Sequence, residues 1–187
     1  MFTESSSVQT QWIAKAYNGN KEIWNLERTA FFCSQKCPAT VILKVYDWAI
    51  EARDKGVCII SGFHTKIEKD VLNFLLKGNQ PIIYVLARGL MKTYEPEHEK
   101  AVKENRLLFV SPFTEKQNRI TQKLSEERNH FIIKHTHHIF VAYASENGNL
   151  ETMVKQNINS RVFETLNIPD NERLIKMGCE RNSTSLN

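Results

Sequence analysis

Val57-Cys58-Ile59-Ile60-Ser61-Gly62-Phe63-His64-Thr65 is the stretch that decides the fold. Its first four residues are apolar without alternation, as a strand covered on both faces requires. Ser61-Gly62 breaks the run. Residues 67–77 follow with Val71, Leu72, Leu75 and Leu76 on one helical face, and Gly78 closes the pattern. A buried strand that passes directly into an amphipathic helix is half of a β-α-β crossover.

The same unit recurs on either side. Upstream, residues 30–33 form a short apolar strand, and residues 41–53 a helix with Val41, Val45, Trp48, Ala49 and Ala52 on one face. Pro38 suits that helix's entrance and Lys55-Gly56 its exit. Downstream, strands are expected at 81–86, 107–110, 138–142 and 161–165. Helices are expected at 97–104, 119–131, 150–157 and 172–177. Alternation with short connections specifies an α/β domain with a mostly parallel, doubly wound sheet between two helical layers. The expected organisation is a helical extension over 1–28, in which 8–17 form a short helix and Asn18-Gly19-Asn20 a turn. The main domain covers 29–178, and a loose polar tail 179–187.

With 187 residues the chain holds one full core. The balance of 25 basic and 21 acidic residues, +4 net, permits a phosphate-bearing partner without demanding one. No apolar run approaches the roughly 18 to 20 residues that span a bilayer. The opening residues also lack the order of a secretory signal, so a cytoplasmic protein without membrane attachment is expected. Cys33, Cys37, Cys58 and Cys179 read as incidental or buried thiols suited to a reducing compartment. No metal or cofactor is expected: His135, His137 and His138 crowd the entrance of a strand, and no His-x-x-x-His helix occurs.

Doubly wound sheets hold ligands beyond the carboxyl ends of their strands, so candidates are sought directly after each apolar run. Ser61, Gly62, His64 and Thr65 form one such loop, in which Gly62 lets backbone approach a ligand and Thr65 caps a helix whose free N–H groups favour an anion. Arg88 and Gly89 follow the next strand, where a guanidinium suits a phosphate. Ser111 follows the third, and Arg128-Asn129 lie on the helix after it. Gly148 and Asn149 lead into another helix, whose Glu151 is a weak candidate for acid/base work or an ordinary first-turn carboxylate. Each segment also has a plain reading as a turn, a cap or a surface charge. Neither a Gly-x-Gly-x-x-Gly nor a Gly-Lys-Ser/Thr loop is present.

In their order and spacing these segments resemble a known family. Ser61-Gly62 with its helix, residues 81–90, residues 106–113, Glu127-Arg128-Asn129, Gly148-Asn149-Leu150-Glu151-Thr152, Arg161-Val162-Phe163 and residues 171–178 are similar to the Rossmann-like core of the bacterial DNA-processing protein A family, also called Smf. The chain looks like a short, divergent member. It departs from the family pattern at Phe63-His64-Thr65-Lys66-Ile67-Glu68 and at Asn147-Gly148-Asn149. Full-length members bind single-stranded DNA and load a recombinase. The resemblance therefore implies a non-catalytic module for a nucleotide or single-stranded nucleic acid. Ser61 and Gly62 would be its phosphate loop, with Arg88, Gly89, Arg128 and Asn129 at or near the pocket and a homodimer as a possible assembly. Two other readings share the architecture: a nucleoside-monophosphate phosphoribohydrolase-like enzyme and a free-nucleotide sensor.

Overall fold

A computed structural model describes residues 14–182 of the chain. Seven parallel strands alternate with helices, all but the last strand as expected: β2 (Thr29–Cys33), α1 (Ala39–Asp54), β3 (Ile59–Ser61), α2 (Lys66–Leu76), β4 (Ile82–Val85), α3 (Pro96–Lys103), β5 (Leu107–Ser111), α4 (Gln122–Lys134), β6 (His138–Tyr143), α5 (Asn149–Asn157), β7 (Val162–Leu166), α6 (Glu172–Lys176) and β8 (Glu180–Asn182). An antiparallel strand, β1 (Ala16–Gly19), precedes them, followed by a 3-10 turn at Lys21–Asn25. The eight strands lie in the order β1-β5-β4-β3-β2-β6-β7-β8.

Alternation of side chains across the pleat divides the core in two. Phe31 and Cys33 of β2 face a cluster with Val41, Val45 and Trp48 of α1, Val71 and Leu75 of α2, and Ala101 of α3. Ala30 and Phe32 face the opposite way, toward Ile132 and Ile133 of α4, Met153 and Val154 of α5, and Leu174 of α6. The molecule is thus the three-layer Rossmann-like α/β architecture expected from the alternation. Within the first cluster Trp48 stacks on Phe140 with ring centroids 4.2 Å apart and planes 3° from parallel.

Strand order fixes where ligand chemistry belongs. The chain winds outward from β2 through β3 and β4 to β5. It then crosses back, by way of α4, to β6 on the other flank of β2. The reversal lies between β2 and β6, and the loops beyond their carboxyl ends diverge to opposite layers and leave a cleft.

Two ends of the chain differ from expectation. The described end of the 8–17 helix is a strand, with Ala16 opposite Ser111 and Gly19 opposite Leu108; residues 8–13 lie outside the described residues. At Gly19 φ is +112°, and a Cβ would lie 2.3 Å from the Leu107 carbonyl oxygen, so this glycine allows β1 to cover the β5 edge. Asn20, expected in a turn, caps the 3-10 segment by accepting from Glu22 N at 3.0 Å. At the other end, residues 180–182 of the expected tail are β8, parallel to β7, and Asn182 Nδ2 donates to Glu164 at 2.8 Å. Among the described residues no helix is long and apolar enough to cross a membrane.

Candidate functional site

The cleft at the strand reversal has a volume of about 490 Å3. Its floor is Phe32, Cys33 and Ser34 at the end of β2. One wall is His64, Thr65 and Glu68, and the other is Ser145, Gly148, Asn149 and Leu150. Ser125, Arg128 and Asn129 of α4 face it. Two loops and one helical segment singled out from the sequence therefore meet in space, although the loops that hold Gly62 and Gly148 are far apart along the chain.

Arg128 dominates the electrostatics. Only 4% of it is exposed, and its Nε donates to Asn129 Oδ1 at 2.7 Å. Among the described residues no carboxylate forms an ion pair with it. Burial pushes the guanidinium below its ordinary pKa, and the charges of Glu68 and Tyr84 offset this only in part. Gly62 makes room for it: a Cβ there would lie 1.5 Å from Arg128 Nη1. His64 beside it is held below its usual value by burial first and by the Arg128 charge second, which favours a neutral ring.

The Phe63, His64 and Thr65 amides of the loop are already occupied. Glu68 Oε2 accepts from His64 N at 2.7 Å and Thr65 N at 3.1 Å, and Oε1 accepts from Cys33 N at 3.3 Å. Thr65 Oγ1 in turn accepts from Glu68 N at 3.2 Å, completing a capping box at the start of α2. The buried Glu68 carboxylate sits where an outside anion would otherwise meet these amides. Ser61 is fully buried. Its hydroxyl donates to the Phe31 carbonyl at 2.8 Å and accepts from Phe63 N at 3.3 Å, so its bonds join strands and shape the loop. Phe63 has φ of +41°, an uncommon backbone for a bulky residue, and is buried under Tyr84.

The amino end of α5 differs from that of α2. Its N-cap is Gly148, which supplies no side-chain hydrogen bond, so the first-turn amides open toward the cleft. Asn149 Nδ2 donates to Glu126 of α4 at 2.6 Å. Glu151 is turned inward, 1% exposed, accepting from Asn147 N at 2.8 Å, from Lys155 at 3.3 Å and from Arg173 Nε. Burial pushes this carboxyl up, but Arg173, Asn147 and Lys155 together outweigh it and hold Glu151 below its ordinary value. An ionised carboxylate with three partners has no proton to give and little reason to take one.

Arg88, Gly89 and Ser111 do not line the cleft. They lie beyond β4 and β5, on the far side of β3. Ser111 Oγ donates to the Arg88 carbonyl at 2.7 Å, and Gly89 N donates to the Gln117 carbonyl at 2.8 Å, so these residues tie two neighbouring loops together. Sequence reasoning missed Ser34, Gln35 and Lys36, which border the cleft after β2. The signal is in the sequence, since the strand at 30–33 and the helix entrance at Pro38 leave these residues as the loop at a strand's carboxyl end. Among the described residues no group of three or more His, Cys, Asp or Glu is placed to hold a metal ion.

Comparison with known proteins follows the same geometry. The family model described as DNA recombination-mediator protein A matches residues 8–180. Among solved structures, DNA processing protein A of Streptococcus pneumoniae superposes with a TM-score of 0.71 at 20% identity, covering 89% of this chain and 62% of that one. DNA processing protein A of Helicobacter pylori, described for its single-stranded DNA binding mode, superposes with a TM-score of 0.69 at 14% identity, covering 88% of this chain and 80% of that one. At such identities the likeness shows the shared fold. No curated protein matches the sequence.

Proposed function

This chain belongs to the DNA recombination-mediator protein A family, and from that premise we propose that its cleft binds a nucleotide or single-stranded DNA through phosphate, without catalysis. The observation that carries this reading is the buried Arg128 guanidinium facing the cleft, which forms no ion pair among the described residues. Burial of a guanidinium that the nearby Glu68 charge offsets only in part is costly, and an entering phosphate would supply two acceptor oxygens in the geometry a guanidinium favours. The uncapped amino end of α5 across the cleft adds amides and the positive end of a helix dipole. A non-catalytic role agrees with the commitment of Glu151 to Arg173, Lys155 and Asn147. The phosphoribohydrolase reading needs that carboxyl free.

The aromatics do not favour base recognition. Phe63 and Phe113 are buried in the core, and Tyr94 packs on Phe109 with centroids 4.2 Å apart. Phosphate contact without stacking gives weak, sequence-tolerant and salt-sensitive binding.

Titration of a labelled oligothymidylate and of nucleoside monophosphates at several salt concentrations tests the proposal. Affinity should fall as salt rises. Arg128→Lys should weaken binding by about tenfold, because a point charge replaces a two-pronged donor. Absence of binding by the unaltered protein at low salt, or an Arg128→Lys protein that binds equally well, would remove the cleft from consideration.

A further inference from the structure

We propose that the groove between α4 and α5 is the sugar subsite of the cleft, and that it selects a free ribonucleoside monophosphate over a strand of nucleic acid. The inference rests on the proposed function, since it takes Arg128 as the phosphate contact.

Helical spacing builds the groove. Glu126, Asn129 and His130 stand at i, i+3 and i+4 of α4, and Asn149, Met153 and Gln156 at i, i+4 and i+7 of α5, so each set lies on one face of its helix. Helices that share a layer ordinarily close such faces with apolar side chains. Here the facing residues are mostly polar and border a cavity of about 220 Å3, with buried Met153 among them. That volume is below the roughly 300–1,000 Å3 of a small-molecule site. The groove is instead an annex of the cleft, because Asn129 and Asn149 line both. Arg128 Nε donates to Asn129 Oδ1 at 2.7 Å, which ties the phosphate contact to the groove wall.

Glu126 sets the chemistry of the annex. Its Oε1 accepts from Asn149 Nδ2 at 2.6 Å and from Gln122 Nε2 at 3.0 Å, and the first of these bonds spans the gap between the helices. Its Oε2 accepts no hydrogen bond among the described residues. A half-buried carboxylate held in place with one oxygen unused suits a hydroxyl donor, and nucleotide-binding folds recognise ribose with such a group. With the 5′-phosphate on Arg128, the adjoining sugar enters the groove and its 2′ and 3′ hydroxyls donate to Glu126. A deoxyribose lacks the first of these donors. In a strand the 3′ oxygen carries the next phosphate, which has no hydrogen to give and brings negative charge beside the carboxylate. Among the described residues no Phe, Tyr or Trp lines the groove, so the sugar rather than the base carries the selection.

The test measures equilibrium binding to the full chain, at one low salt concentration, of adenosine 5′-monophosphate, its 2′-deoxy analogue and adenosine 3′,5′-bisphosphate. The monophosphate should bind about tenfold more tightly than the deoxy analogue, as one hydrogen bond to a charged group implies. It should also bind more tightly than the bisphosphate, although attraction to Arg128 alone favours the ligand with more charge. Equal affinities for the two sugars, or a bisphosphate that binds more tightly, would overturn the proposal, and neither comparison depends on a variant. Glu126→Gln keeps an acceptor for Asn149 and places an N–H donor at the other position, so it should narrow the gap between the sugars and relieve the penalty on the bisphosphate. Unchanged preferences in a Glu126→Gln chain with an unchanged melting temperature would also overturn it. Binding that ignores the sugar but weakens in Arg128→Lys leaves the phosphate site standing and removes the subsite alone. Absence of binding by every ligand at low salt counts against the phosphate site itself, and the subsite falls with it.

Discussion

A methyl group on Gly62 would lie 1.5 Å from Arg128 Nη1 and 1.9 Å from Cζ, both at the far end of a long side chain. Gly62→Ala therefore asks the guanidinium to move more than it asks the core to expand. Nucleotide affinity should drop by about tenfold, in keeping with loss of one well-placed charged hydrogen bond of about 1.5 kcal/mol. The midpoint of thermal unfolding should change little, and a large fall in stability with affinity intact would contradict this account. Glu151 makes a different prediction. Its folded pKa lies below the ordinary 4.5, so its stabilising contribution is fully present above that value and fades as pH drops through the depressed one. Glu151→Gln should cost about 2 kcal/mol near neutrality. Urea melts of the two proteins should converge as pH falls out of the ordinary carboxylate range and through the depressed value; a gap that stays constant with pH would mean that the carboxylate charge is not what matters.

Helix starts show how far local pattern reaches. In α2 the Thr65-x-x-Glu68 spacing stands in the sequence and becomes a capping box, and Thr65→Ala should lower unfolding free energy by about 1 kcal/mol, as chemical denaturation can measure. Helix α4 begins at Gln122 rather than at 119, because Thr121 Oγ1 accepts from Leu124 N at 3.2 Å and sets the boundary. A threonine among other polar residues gives little warning of that. Strands β1 and β8 were illegible for another reason. Each is an edge of three or four residues held by backbone bonds to a neighbour, and Glu180-Arg181-Asn182 offers no apolar face at all. The buried strands were plain from their unbroken apolar runs, since two helical layers leave them no solvent face. Shortening the chain to end at Cys179 tests the weight of such an edge. Without β8, β7 keeps its pairing with β6 but its outer edge is unpaired, and Glu164 loses Asn182. The expected result is a Tm lower by about 2–4 °C per kcal/mol lost and greater self-association in light scattering.

For the molecule as a whole, the layers followed from alternation while the placement of the site did not. Arg88 directly follows an apolar strand and Arg128 lies on the helix after the next one, and nothing along the chain tells which of the two faces the cleft, yet of the two only Arg128 does. What separates them is strand order, a product of pairings between distant residues that no local window contains. Because β2 lies in the middle of the sheet, the cleft also joins two halves of the polypeptide that were wound in opposite directions. A guest seated there acts as a rivet between them. Its arrival should slow amide exchange at residues 61–65 and 145–150 in step, as though two remote stretches of chain had become a single unit of motion.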